Sequence, residues 1–173
     1  MPRHHTKPRR KAYRPGRVDG DPVSLAMRMA AKLDAAQLPG LLDRLQARLE
    51  AFRTGHGNAE HWAALADSLN VAEGLAQLHI ASDHQDTFDR GQQALAAVHG
   101  RAHGPRKSWT LRGPELQALD DALFVHGVQL QHCSQGELQQ AVTNVQRRVA
   151  QALAGNAGRN VTVLHVTDGV PAG

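Results

Sequence analysis

Residues 58–80 read NAEHWAALADSLNVAEGLAQLHI, and their spacing decides the fold. Asn58 is placed to cap the free amides of the turn that follows it, and Glu60 brings negative charge to the positive end of the helix. Trp62, Leu65, Ala66, Leu69, Ala72, Ala76 and Ile80 recur at steps of three and four, which lines them along one face of a rod about 35 Å long. Leu75 and Leu78 fall outside that stripe. A second neighbour is therefore expected on their side, with the helix inside a bundle.

The flanking segments carry the same signature. On the N-terminal side, Asp34 with Gln37 has the form of a capping box, and Leu38, Leu41, Leu42, Leu45, Leu49 and Phe52 make an apolar stripe that ends at Thr54-Gly55-His56-Gly57. Before it, Pro22 opens a short helix bearing Val23, Leu25, Met27, Met29 and Leu33. On the C-terminal side, Ser82 and Asp83 are capping residues, and Phe88, Gly91, Leu95, Val98 and Ala102 form a narrow seam in which Gly91 lets a neighbouring helix approach. A loop of about ten residues follows within RAHGPRKSWTLRGP, which contains no acid. Pro114 then opens a helix with Leu116, Leu119, Leu123, Gly127 and Leu130 on one face and Phe124 and Val128 beside it. Ser134 with Glu137 is a second capping box, starting a helix whose Leu138, Ala141, Val142, Val145, Val149 and Ala152 face inward until Gly155.

Composition agrees with this reading. Of the chain, 41% is hydrophobic but only 3% aromatic, so Leu, Ala and Val must supply the burial, and β-branched residues are sparse before residue 160. The expectation is an all-α, single-domain bundle of about five or six helices over residues 22–155. A flexible, disordered basic arm over residues 1–21 precedes it, and a short, mostly unstructured tail over residues 156–173 follows. The Val161–Thr167 stretch has strand-like residues, but a lone strand needs a partner, so disorder is expected there. No apolar run reaches the roughly 20 residues that span a bilayer. The charged N-terminus leads into no signal-peptide core, and one cysteine, Cys133, makes no intrachain disulfide. A cytoplasmic protein without a membrane partner is expected.

Charge is distributed unevenly. Arg3, Lys7, Arg9, Arg10, Lys11, Arg14 and Arg17 give residues 1–17 a charge of +7 with no acid, which leaves the rest of a +4 chain at −3. Three prolines, Gly16 and a single aromatic, Tyr13, cannot bury enough surface to offset the entropy of ordering the arm. Three roles fit such a segment: lying on nucleic-acid phosphates with Tyr13 stacking on a base, docking on an acidic protein surface, or solvating the chain. Arg101, Arg106, Lys107 and Arg112 surround Trp109 in the loop. That tryptophan either stacks on a base or pins the loop to the bundle, and pinning is favoured because exposed tryptophan is uncommon.

Catalytic patterns are weak. His99 and His103 are spaced to share one side of a helix turn, but the glutamate of H-E-x-x-H is missing and Gly100 and Gly104 weaken the turn. Asp120 and Asp121 diverge from each other and from His126, and helix-dipole stabilisation accounts for them. Cys133 beside His132 lacks a placed base. No phosphate-binding glycine loop, dinucleotide fingerprint or nucleophile elbow occurs. No cofactor, no metal and no enzymatic activity are expected.

Three segments, KPRRKAYRP from Lys7, WAALADSLNVA from Trp62 and LDDALFVHGVQLQHCSQGELQQAV from Leu119, resemble uncharacterised short helical proteins encoded in bacterial prophages and mobile elements. The resemblance covers most of residues 7–150. It implies a mobile-element origin, where regulators, nucleic-acid accessories and inhibitors of host functions are common. The expected function is a non-enzymatic accessory protein binding nucleic acid through its arm, with Arg106, Lys107, Trp109 and Arg112 adding a second patch. The alternative is a module that binds or inhibits a host protein through a helix face. Self-association through the Leu75/Leu78 side or the C-terminal strand, giving a homodimer, is a third possibility.

Overall fold

A computed structural model describes residues 22–154, apart from 35, 37 and 106. The basic arm, Gly155 and the C-terminal tail lie outside the described residues. Six α-helices form an all-α bundle: α1 (Pro22–Ala30), α2 (Leu38–Arg53), α3 (Ala59–Gln77), α4 (Gln85–Ala102), α5 (Gly113–His132) and α6 (Gln135–Leu153). No β-strand occurs among the described residues, only an isolated bridge between Lys32 and Ser134. None of the described helices is long and apolar enough to cross a membrane.

Two of the expected caps form as read. Asn58 Oδ1 accepts from the His61 amide at 2.9 Å and starts α3. At α6 the Ser134 hydroxyl accepts from the Glu137 amide at 3.2 Å, while the Glu137 carboxylate accepts from the Ser134 amide at 2.7 Å. At α2, Asp34 Oδ1 accepts from the Ala36 amide at 2.9 Å, and Gln37 lies outside the described residues. Ser82 and Asp83 behave differently. They form a 3₁₀ turn ahead of α4, and neither caps the helix with its side chain.

Helix α3 lies at the centre, touching α2, α4, α5 and α6. Its stripe of Trp62, Leu65, Ala66, Leu69, Ala72 and Ala76 is buried, and the Trp62 indole N–H donates to the Leu95 carbonyl of α4 at 2.8 Å. Gly91 on α4 is needed for close approach: a Cβ there would lie 2.9 Å from Leu69 Cδ1 and 3.0 Å from Ala122 Cβ. Leu75 is fully buried against Leu130, Cys133 and Ala141, so the off-stripe side of α3 is covered by α5 and α6 of the same chain. Leu78 beside it is half-buried against the same cluster. Helix α1 forms but buries none of its apolar side chains: Val23, Leu25, Met27 and Met29 are all exposed. The segment after it is tied down, since the Ala31 carbonyl accepts from the Gln135 amide at 2.8 Å and Lys32 Nζ donates to the His132 carbonyl.

The reversal between α3 and α4 is the least regular part of the body. His79 and Ala81 adopt left-handed backbone angles, with φ of 65° and 55°, at a cost of about 1–2 kcal/mol each for a residue other than glycine. Gln129, wholly buried on α5, holds this turn. Its Nε2 donates to the Ala72 carbonyl at 3.0 Å and to the Ile80 carbonyl at 2.8 Å. Both amide protons being committed, its Oε1 faces His126 Nδ1 at 3.2 Å, so Nδ1 carries the imidazole proton and donates.

Burial keeps His126 neutral, lowering its pKa from 6.5 to about 4 against the opposing pull of the Gln129 hydrogen bond. The unfolded chain then binds a proton before the folded one does. This contribution to stability is complete above pH 6.5 and is lost as pH falls toward 4, by about 3 kcal/mol in all. Histidine NMR of the folded protein is expected to show His126 titrating near pH 4. Titration near the ordinary histidine value would mean that the imidazole is solvated.

Candidate nucleic-acid interface

Of the residues read as a nucleic-acid surface, Arg3, Lys7, Arg9, Arg10, Lys11, Tyr13, Arg14, Arg17 and Arg106 lie outside the described residues. Lys107, Trp109 and Arg112 lie in the segment between α4 and α5, which runs from His103 to Arg112 as the loop length anticipated. Lys107 and Arg112 are exposed. Lys107 turns the chain with a left-handed φ of 45°, its amide donating to the Gly104 carbonyl at 3.1 Å. From there side chains alternate in direction up to Arg112, whose backbone is extended. Trp109 and Leu111 turn to the core, while Ser108, Thr110 and Arg112 face the other way and line a cavity.

Trp109 is half-buried and belongs to a ring cluster. Its centroid lies 6.3 Å from Trp62, 6.3 Å from His99 and 5.8 Å from His103. The two imidazoles stack at 4.1 Å, and His99 rests on Trp62 at 4.7 Å. The i,i+4 spacing of the histidines thus does bring them together, against tryptophans. Burial, followed by repulsion from His103, disfavours protonation of His99. Among the described residues no three His, Cys, Asp or Glu side chains are grouped to hold a metal ion. The tryptophan therefore pins the loop, which argues against its use as a free stacking platform.

Arg101 is the residue whose role sequence reading missed. It sits in the last turn of α4, where it reads as one more loop cation. Its Nη1 donates to Glu115 Oε1 at 2.8 Å and its Nη2 to both Glu115 Oε2 and the Thr110 carbonyl, the last at 2.8 Å. Burial raises the energy of the Glu115 carboxylate, but hydrogen bonds from Arg101 and the Arg112 amide outweigh it and lower the pKa. Arg101 thus clips the extended segment to the start of α5. The charge it adds to the surface is largely cancelled by Glu115.

The cavity behind this clip has a volume of about 630 Å³. Ala97, Gly100, Gly104 and Pro105 line its α4 side, and Arg101, Ser108, Thr110 and Arg112 line the rest. No acid lines it. The loop and the residues after α1 occupy opposite ends of α5. Their separation along that helix is about 30 Å.

The remaining candidates have structural roles. Cys133 is fully buried, and burial followed by the Glu137 charge raises its pKa, which disfavours the thiolate. Asp121 accepts from Gln117 at 2.8 Å, and His126 is committed to Gln129 rather than to an acid.

The placement of Trp109 has a measurable consequence. Trp109→Ala is expected to lower stability by about 2 kcal/mol, below the roughly 3–5 kcal/mol of a fully buried tryptophan because the side chain is only partly buried. Urea unfolding checks it: a change within about 0.5 kcal/mol would mark Trp109 as a surface residue free to stack on a ligand. Comparisons with protein-family models, curated proteins and solved structures find no match for the chain.

Proposed function

We propose that the chain is a non-enzymatic accessory protein of a bacterial mobile element that works in the cytoplasm and binds nucleic acid through its basic N-terminal arm. The observation that carries this reading is the charge partition: +7 within residues 1–17, with no acid, against −3 for everything after. Such a segment neutralises phosphates without selecting a sequence, because phosphate contacts position a protein and carry no base information. Tyr13 supplies one ring for stacking. Lys107 and Arg112, exposed on the α4–α5 loop, support a second and weaker patch.

One observation favours a second reading, a module that binds a host protein through a helix face. Leu25, Met27 and Phe124 are 49%, 70% and 72% exposed, and a partner's surface could cover these side chains. Host protein retained on the chain after nuclease treatment would favour that reading.

The arm reading is tested by titrating labelled duplex DNA with the full chain and with a chain beginning at Val18, at about 50 and about 200 mM salt. The full chain is expected to bind more tightly, with a log–log salt slope steeper than that of the shortened chain by up to about 6, the limit for seven phosphates neutralised by the arm. Equal affinity and equal slopes for the two chains would remove the arm from the function.

A further inference from the structure

The α4–α5 cavity contains a feature that packing does not require. Gly100 lies in the last turn of α4, where glycine still favours the helix less than alanine does. At Gly91 that cost accompanies a contact too close for any Cβ. At Gly100 a Cβ would meet nothing within 4 Å, and its backbone does not have a positive φ. The bare position faces the cavity, and with Ala97, Gly104 and the Pro105 ring it makes a wall without polar side chains.

The opposite wall is polar. Ser108 and Thr110 hydroxyls lie 2.8 Å apart, and Arg112 is exposed at the rim. Arg101 is occupied by Glu115 and Thr110, so it holds this wall in place, while the exposed Arg112 side chain, close enough to add to the stabilisation of Glu115, stands at the rim to meet a ligand anion. A volume of about 630 Å³ lies within the range of small-molecule sites, roughly 300–1,000 Å³. One wall is therefore carbon-lined, the other offers hydroxyls and a guanidinium, and the nearby Glu115 carboxylate is not among the lining residues and is neutralised by Arg101. That combination suits a flat ring joined to a phosphate.

We infer that this cavity is a nucleotide subsite. A base lies against Ala97, Gly100 and Gly104, while its phosphate is met by Arg112 and the Ser108 and Thr110 hydroxyls. The inference deepens the proposed nucleic-acid function and rests on it: the arm supplies affinity for phosphates in general, and the cavity takes one nucleotide of a single strand. A free nucleoside monophosphate presents the same chemistry, so both sources are tested.

The probes are adenosine monophosphate and a labelled short oligothymidylate, titrated into the full-length protein. Gly100→Leu fills the cavity from a position with room for it, and Gly100→Ala is the control that leaves most of the space. Gly100→Leu and Arg112→Gln are each expected to weaken monophosphate binding about tenfold or more, the latter through loss of a charged hydrogen bond. Gly100→Ala is expected to bind as the parent does, and circular dichroism is expected to show all variants folded. A full-length chain with Arg9, Arg10 and Lys11 changed to Ser is expected to keep monophosphate binding and lose oligonucleotide affinity. No monophosphate binding, or equal binding by the parent and a folded Gly100→Leu chain, overturns the cavity assignment even if the arm still governs the oligonucleotide. Monophosphate binding that depends on Gly100, with oligonucleotide binding indifferent to the arm, keeps the cavity and overturns the arm. Tighter binding of the oligonucleotide than of the monophosphate, sensitive to Gly100→Leu, supports the strand as the source. Cavity-dependent binding of the monophosphate alone overturns the strand.

Discussion

One buried amide governs the geometry of the body. Gln129 stands on α5 with no exposed surface, yet all its hydrogen-bonding groups are used: two protons on carbonyls of α3 and of the turn beyond it, and its oxygen on His126. Unpaired, such a group would cost about 1–3 kcal/mol, so its presence in the core implies that the partners are fixed. What they fix is the reversal after α3, where His79 and Ala81 are held in a backbone region that side-chain-bearing residues avoid. Local preference opposes that turn. The tertiary contact from α5 compensates, and the direction in which α4 leaves is thereby set.

The placement of the candidate interface follows from that direction. With α4 aimed along α3 and α5, Gly91 can press between Leu69 and Ala122, and the Trp62 indole reaches the Leu95 carbonyl. The far end of α4 then lies beside the start of α5, close enough for Arg101 to span to Glu115. The extended segment between them is held on one side by Trp109 in its ring cluster and on the other by the Arg101 clip. The cavity is the space left between that segment and the unadorned face of α4. Its shape is a consequence of rigid neighbours rather than of the loop alone.

Much of the architecture was legible because one kind of signal dominates it. Leucine and alanine stripes at helical spacing mark α2 to α5, and Asn58 and the Ser134–Glu137 pair mark two starts without ambiguity. What could not be read concerns letters that mean different things in different surroundings. Gln129 and His126 look like surface residues until both are seen in the core. Ala81 gives no sign of a left-handed turn, because the constraint comes from a residue far along the chain. Arg101 reads as a free cation, since its partner Glu115 comes after the loop. Val23, Leu25, Met27 and Met29 follow a buried pattern but are exposed, because among the described helices α1 packs mainly against α6. In the loop, the alternation in Ser108-Trp109-Thr110-Leu111-Arg112 was available as a signal, but the surrounding charge drew attention instead. The arm's charge, by contrast, is a property of the sequence itself and needs no fold to be stated.

The most direct test of this account is the equilibrium urea unfolding of a Gln129→Leu chain beside the parent. Leucine nearly matches glutamine in size but can neither donate to Ala72 and Ile80 nor accept from His126. The account requires a loss of about 2–4 kcal/mol, as buried polar partners are left without bonds and two left-handed residues lose their brace. A leucine chain as stable as its parent to within about 0.5 kcal/mol would contradict it. In that event the α3–α4 reversal, and the cavity positioned by it, would have to be held by something else.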